Sequence, residues 1–133
     1  MGYFRQITKT SCFPACIQMT LSEYGINFLE QDDICSFVKC DEKDGTSYHN
    51  VRPFFNMLGI SFRKTKFFDN ALSHNGIVIV GYNTSKRGSH VAILKGYDPK
   101  RYAYVLDDPW FGKDIIIPEY MFDKCINSFY LIG

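Results

Sequence analysis

The sequence predicts an α+β fold, with helices first and an antiparallel sheet second. Three observations carry this. Apolar residues recur at helical spacing through the first half and alternate with period two in the second half. Clusters of Asn, Asp, Gly and Pro separate the alternating segments at hairpin-like intervals. The 133 residues contain no linker, internal repeat or low-complexity segment. That length predicts one domain, residues 1–133, burying roughly two-thirds of its unfolded surface without metal or disulfide support.

The elements follow in order. The first helix is expected from Cys12 to Tyr24, with Ala15, Cys16, Met19, Thr20 and Leu21 on its apolar face and Gly25 as the stop. Pro14 is tolerated in a first turn, where its missing N–H leaves no bond unmade. A short second helix fits Glu30 to Val38, with Ile34, Phe37 and Val38 inward. After Gly45-Thr46-Ser47, residues Val51, Phe54, Phe55 and Leu58 fall on one helical face, and Gly59 ends it. Pro53 fits this third helix if it starts late with Asn50 as cap, or if its first turns are irregular. Strands are expected at Ile60–Arg63, Ile77–Tyr82, His90–Gly96, Tyr102–Asp107, Asp114–Ile117 and Ser128–Ile132. A short helix is expected between the last two, from Pro118 to Cys125.

Composition narrows the function. A net charge of +1 gives no electrostatic footprint for nucleic acid or an anionic membrane. Lys86-Arg87 reads as a solvated loop. Twelve Phe and nine Tyr predict a dense aromatic core, with a few rings available to wall a groove. The five cysteines form no disulfide framework, which fits a cytoplasmic or otherwise reducing compartment or a free thiol with a task. Met1-Gly2-Tyr3-Phe4-Arg5 lacks the layout of a signal peptide, and a signal peptide already removed is compatible with the same sequence. Gln6 stands where a myristoylation motif needs Ser or Thr. No apolar run approaches the ~18 residues of a membrane span.

The residues with chemistry start at the N-terminus. Cys12 opens a helix, where the dipole and unbonded N–H groups favour a thiolate. Gln6 stands close enough in sequence to donate to an oxygen that becomes negative when the thiolate attacks a carbonyl. A base and a group that orients it are then required. His90 sits at the entrance of a buried strand, and Asp108 at the exit of the next one. In an antiparallel pair those two ends share one edge of the sheet. Asp107 is the alternative orienter, since alternation turns only one of the pair inward. Cys16 lies one turn after Cys12 and reads as core, with a resolving thiol or disulfide partner as the other readings. Cys35, Cys40 and Cys125 read as core or incidental, and His49 and His74 as solvated surface residues. A zinc site from Cys12, Cys16 and a histidine lacks the paired spacing of metal ligands, so no metal and no cofactor is expected.

The ordered set Gln6, Cys12, Gly45-Thr46-Ser47, His90 before an apolar strand, and Asp108-Pro109 resembles the papain-like cysteine peptidases of the C39 type. The resemblance runs from Tyr3 to Phe111. It implies a papain-like fold and a Cys12–His90–Asp108 triad, with Gln6 and the Cys12 N–H as oxyanion donors. The implied activity is that of a cysteine peptidase or amidase acting on a peptide or protein. An acyltransferase or transpeptidase with the same triad, and a peptidase-like module that binds peptides without cutting, are the alternatives. Ser11-Cys12-Phe13 departs from the family's usual Asp-Cys-Gly, so Phe13 stands where substrate approaches closely. Phe13, Trp110 and Ser89 are the candidate substrate-binding residues. Asp107-Asp108-Pro109-Trp110 is more similar to stand-alone C39-like proteins than to transporter-linked domains, so a stand-alone domain with no attached transporter or ATPase is expected. A preference for small residues before the cut, such as paired glycines, is implied by the resemblance alone.

Overall fold

A computed structural model describes residues 1–41, 45–84 and 88–133. The chain forms α1 (Cys12–Glu23), α2 (Gln31–Val38), α3 (Tyr48–Met57), β1 (Phe62–Thr65), α4 (Phe68–Leu72), β2 (Ile77–Thr84), β3 (Gly88–Asp98), β4 (Ala103–Asp108), β5 (Gly112–Pro118), α5 (Glu119–Cys125) and β6 (Ile126–Ile132). The six strands make one antiparallel sheet in the order β1-β6-β2-β3-β4-β5. The α+β expectation holds. The Lys86-Arg87 loop lies outside the described residues.

Period-two alternation divides the strands between two cores. Ile79, Val91, Ile93, Tyr130 and Ile132 pack with Ile17, Met19, Ile34 and Phe55 from α1, α2 and α3. Val78, Val80, Ala92, Phe129 and Leu131 pack with Ala71 of α4 and Phe122 of α5. Burying one side chain of the size of Ile17 or Phe55 is worth about 1.5–3 kcal/mol relative to exposing it. The sheet is therefore covered on both faces.

Helix ends follow local chemistry. Ile26 N–H donates to Leu21 O (2.9 Å) and Gly25 N–H to Ser22 O (3.2 Å), closing α1 through Gly25 at φ +73°. The same closure ends α3. Ile60 N–H donates to Phe55 O (3.0 Å), and Gly59 sits at φ +72°. Ile60 is therefore spent on the helix, and β1 begins at Phe62 rather than at the expected Ile60. The start of α3 also differs from both readings of Pro53. Ser47 caps it, accepting from His49 N–H, and Pro53 lies within the helix. His49 is exposed, so the helical carbonyl that Pro53 cannot reach is near solvent. The five-residue α4 has too short an apolar pattern to be read from sequence.

Two readings of the cysteines and one of the histidines are corrected. Cys35 and Cys40 are joined by a disulfide. Lys39 takes the left-handed conformation after α2 (φ 53°), returning Cys40 N–H to Cys35 O at 3.0 Å and bringing the two Cα atoms within 4.9 Å. The cysteine count consequently loses its force as an argument about compartment. Cys125 is exposed, while Cys16 is buried as expected. His74 is half-buried, with its Nε2 3.0 Å from the Ile132 carbonyl at the end of β6. No helix among the described residues is long and apolar enough to cross a membrane.

Candidate active site

Three elements converge on one cleft. Cys12 is the first residue of α1, His90 stands near the start of β3, and Asp108 is the last residue of β4. The first backbone bond of α1 runs from Ala15 N–H to Ser11 O, and Pro14 has no N–H. The N–H groups of Cys12 and Phe13 therefore have no acceptor within the helix. Ser11 does not cap α1 with its side chain. Its hydroxyl accepts from Thr8 N–H (2.9 Å) and donates to Thr8 O (3.2 Å), setting the turn that leads into Cys12.

The imidazole and carboxylate meet directly. His90 Nε2 lies 2.8 Å from Asp108 Oδ1, and both side chains are almost fully buried, at 2% and 1% exposure. With Nε2 engaged, Nδ1 is the nitrogen left for Cys12, whose half-buried side chain lines the same cleft as the ring. Burial alone would pull the His90 pKa down. The Asp108 carboxylate and Cys12 outweigh burial, and the value is pushed up to about 9.

Asp108 is held as a carboxylate by a full set of donors. Oδ1 accepts from Trp110 N–H (2.8 Å) and Phe111 N–H (3.0 Å) as well as from His90. Oδ2 accepts from the Tyr82 hydroxyl. The local reason is the Asp108-Pro109 step: Pro109 offers no N–H, and the next two N–H groups fold back onto the Asp side chain as an Asx-type turn. Burial raises the carboxyl pKa, but His90, Tyr82 and the Phe111 N–H overcome it and hold the group below the usual range. Asp107 faces elsewhere. It accepts from Asp114 N–H at 3.0 Å and lies 3.7 Å from Lys95 Nζ, so it belongs to the β4–β5 turn. The choice between the two aspartates thus resolves, as contacts, to Asp108.

Gln6 is buried and tethered on both sides. Its own N–H donates to Pro109 O (3.0 Å), and its Nε2 donates to Thr8 O (2.8 Å). Its Oε1 is buried with no partner among the described residues. One hydrogen of the amide NH₂ remains after the bond to Thr8. Gln31 fastens the flanking backbone, donating to Arg5 O (2.9 Å) and accepting from Ile7 N–H (2.8 Å). Tyr3 donates to Asp108 O (2.6 Å) and Arg5 to Trp110 O (2.9 Å). The N-terminal segment is therefore stitched to the turn that carries Asp108.

The cleft beside Cys12 and His90 has a volume of about 320 Å³ and includes Phe13, Ser89, Thr46 and Tyr130 in its walls. Phe13 borders it with little exposed surface, because its ring is turned into the core against Tyr130 (4.9 Å, 71°). Ser89 lies on the rim, its hydroxyl donating to Asn83 Oδ1 at 3.2 Å. Trp110 is 37% exposed and does not line the cleft. The Cys16 thiol, one turn below Cys12, is pushed well up by burial and by the nearby Cys12 and aspartates, so it stays a neutral core group. Among the described residues, no cluster of His, Cys, Asp and Glu could hold a metal.

Sequence reasoning missed Tyr82, Phe111 and Gln31. Each lies in a segment whose pattern already served another purpose, a strand, a turn or a helix start. No spacing signal distinguishes a tyrosine that reaches Asp108 from one that fills a core.

The comparisons bear on the whole chain. The C39 peptidase domain of Streptococcus ComA, a bifunctional ABC transporter of a quorum-sensing pathway, superposes with a TM-score of 0.83 at 21% identity, covering 99% of this chain and 98% of that one. A double-glycine-motif protease from an AMS/PCAT transporter, solved with a leader peptide, gives 0.81 at 20% identity over 98% and 89%. The peptidase domain of Streptococcus mutans ComA gives 0.75 at 17% identity over 100% and 99%. At these identities the likeness shows the fold. No curated protein matches the sequence. The family described as "Peptidase_C39 like family" matches residues 1–132, and the chain accordingly belongs to the C39-like peptidase family.

Proposed function

We propose that this protein is a cysteine peptidase that cleaves a peptide bond with Cys12 as nucleophile, His90 as acid and base, and Asp108 as the group that orients His90. The observation that carries the reading is the meeting of three groups at one cleft: Cys12 and His90 share its wall, and Asp108 holds His90 from behind at 2.8 Å.

The chemistry follows from the contacts. His90 holds the Cys12 proton, leaving a thiolate and an imidazolium at rest. The raised His90 pKa of about 9 favours the imidazolium at neutral pH. The thiolate attacks the carbonyl carbon, and the electron pair moves onto the carbonyl oxygen. The Cys12 N–H and the remaining Gln6 amide hydrogen donate to that oxygen. The C–N bond breaks as the imidazolium gives its proton to the leaving amine. Water then attacks the thioester as His90 takes its proton, and the C–S bond breaks to free the acid product and return the Cys12 thiolate. Asp108 stays ionised throughout and fixes the ring through Nε2.

The substrate is a peptide, and a small-residue preference such as paired glycines is the first to test. It draws on the resemblance and on the double-glycine protease among the similar structures. Phe13 borders the cleft where the family's glycine would leave more room. The test is digestion of a defined peptide library, including double-glycine sequences, by wild type and by Cys12→Ala, read by mass spectrometry. Cleavage at common sites by the wild type alone is expected. No cleavage by the wild type, or equal cleavage by Cys12→Ala, would overturn the reading. Adding an amine acceptor to the same digest separates hydrolysis from acyl transfer by product mass.

A further inference from the structure

We propose that Tyr82 is a positioning residue for this site, its hydroxyl clamping Asp108 Oδ2 while its ring braces the His90 imidazole. The proposal rests on the peptidase reading and deepens it. Tyr82 does not line the cleft, so it acts through Asp108 and His90, the two residues it holds.

The backbone places Tyr82 for this purpose. It is the direct cross-strand partner of His90 in the β2–β3 register. Cross-strand partners carry their side chains on the same side of the pleat. The Tyr82 and His90 ring centroids are 5.3 Å apart at 87°, an edge-to-face contact. On its other flank β2 pairs with β6, and that register shifts between Gly81 and Tyr82. A bulge of this kind re-aims a side chain. Gly81 lets β6 approach at this point, since a Cβ there would collide with Ser128 Oγ.

The hydroxyl does what no other group does among the described residues. Three donors converge on Asp108 Oδ1, whereas Tyr82 supplies the hydrogen bond to Oδ2. Without it, a buried carboxylate oxygen would lack a partner, and protonating Asp108 would become easier. Burial, together with the Asp108 charge and hydrogen bond, drives the phenol pKa far upward, so Tyr82 remains a donor across the working range. The other ionisable groups acting on this carboxylate or on its partners are His90 from β3, Cys12 and Cys16 from α1, Tyr3 from the N-terminal segment, and the adjacent Asp107. Arg5 acts on Tyr3. Tyr82→Phe removes none of them.

The experiment is the pH–rate profile for alkylation of Cys12 by iodoacetamide, read by peptide mapping, which needs no substrate. Wild type, Tyr82→Phe, Asp108→Asn and the double variant are compared at pH 6 and pH 10. In wild type, the imidazolium pair should keep Cys12 reactive at pH 6. Tyr82→Phe is expected to slow the pH 6 reaction about tenfold, the value of one hydrogen bond to a charged group. At pH 10, where thiolate forms without the pair, the rate should be unchanged. In the Asp108→Asn background the same substitution should change the pH 6 rate by less than about twofold, because the group it acts through is gone. The double variant carries no orphaned carboxylate. If Tyr82→Phe alone does not fold while the double variant does, the orphaned carboxylate is the cause and the clamp is supported; a large further loss of the pH 6 rate from Asp108→Asn to the double variant shows that Tyr82 acts apart from Asp108 and sinks the proposal. Equal pH 6 rates for wild type and Tyr82→Phe overturn the role of Tyr82 and leave the triad standing. A wild type in which Cys12 reacts only above pH ~8, as an ordinary thiol does, overturns the triad and the Tyr82 role together.

Discussion

Replacing Asp108 by Asn removes one charge while leaving the turn that surrounds it. The amide oxygen can still accept from the Trp110 and Phe111 N–H groups, which now hold Oδ1 at 2.8 and 3.0 Å. What disappears is the carboxylate beside His90 Nε2, a contact of 2.8 Å. With charge centres ~4 Å apart and an effective dielectric constant of ~20, that pair is worth about 4 kcal/mol, or ~3 pH units at 1.36 kcal/mol each. The wild-type ring titrates at about 9 against an ordinary 6.5, after burial has taken its share. That rise corresponds to about 3 kcal/mol in favour of the imidazolium. The two figures agree in size, so Asp108→Asn should return His90 to the ordinary histidine range or below it. The assay is NMR of the histidine rings as a function of pH. Three histidines keep the spectrum assignable. The wild-type His90 ring should be protonated at pH 7 and lose its proton near pH 9, and the Asn variant should be neutral at pH 7. Coincident titrations, or a neutral wild-type ring at pH 7, would refute the electrostatic argument.

Stability follows with a definite sign. His90 has a folded pKa above its unfolded one, so its contribution is complete below pH ~6.5 and fades as pH rises through about 9. Asp108 has a lowered folded pKa, so its contribution is present above pH ~3.8 and is lost as pH falls through the lowered value. Urea unfolding should show wild type most resistant between those limits, with the Asn variant losing most of its deficit above pH ~9.

Two further outcomes test the N-terminal segment. Gln6→Ala should raise the barrier to peptide cleavage by ~2.7–4 kcal/mol, measured as kcat, with little change in thermal unfolding. An unchanged kcat would remove Gln6 from the oxyanion site. Gln31→Leu strips the partners from Arg5 O and Ile7 N–H, which should cost about 2 kcal/mol in urea unfolding. It should also lower kcat while leaving iodoacetamide labelling of Cys12 at pH 6 intact. A stability loss with kcat untouched would show that the tether does not govern Gln6.

Much of this molecule was legible from its residues alone. Period-two alternation placed all six strands, since alternate residues must face one core or the other. Gly25 and Gly59 marked helix ends because each closes a turn at positive φ. Gln6, Cys12, His90 and Asp108 stood out as candidates because thiol chemistry calls for those residue types in restricted settings. Other features depended on distant partners. The insertion of β6 between β1 and β2 pairs the last strand with two mid-chain strands, which no local pattern records. Cys35 and Cys40 needed the left-handed turn at Lys39 before they could meet. Asp108 prevailed over Asp107 through the bulged β4 register and the turn at Pro109, which together decide which carboxylate faces the imidazole. Tyr82 and Gln31 took their places only through strand pairing and helix docking. Periodicity and residue chemistry are properties of short segments, so the sequence alone determined most of the elements and the candidate groups. A contact between residues far apart in the chain exists only after packing, and tertiary structure alone decided which groups touch.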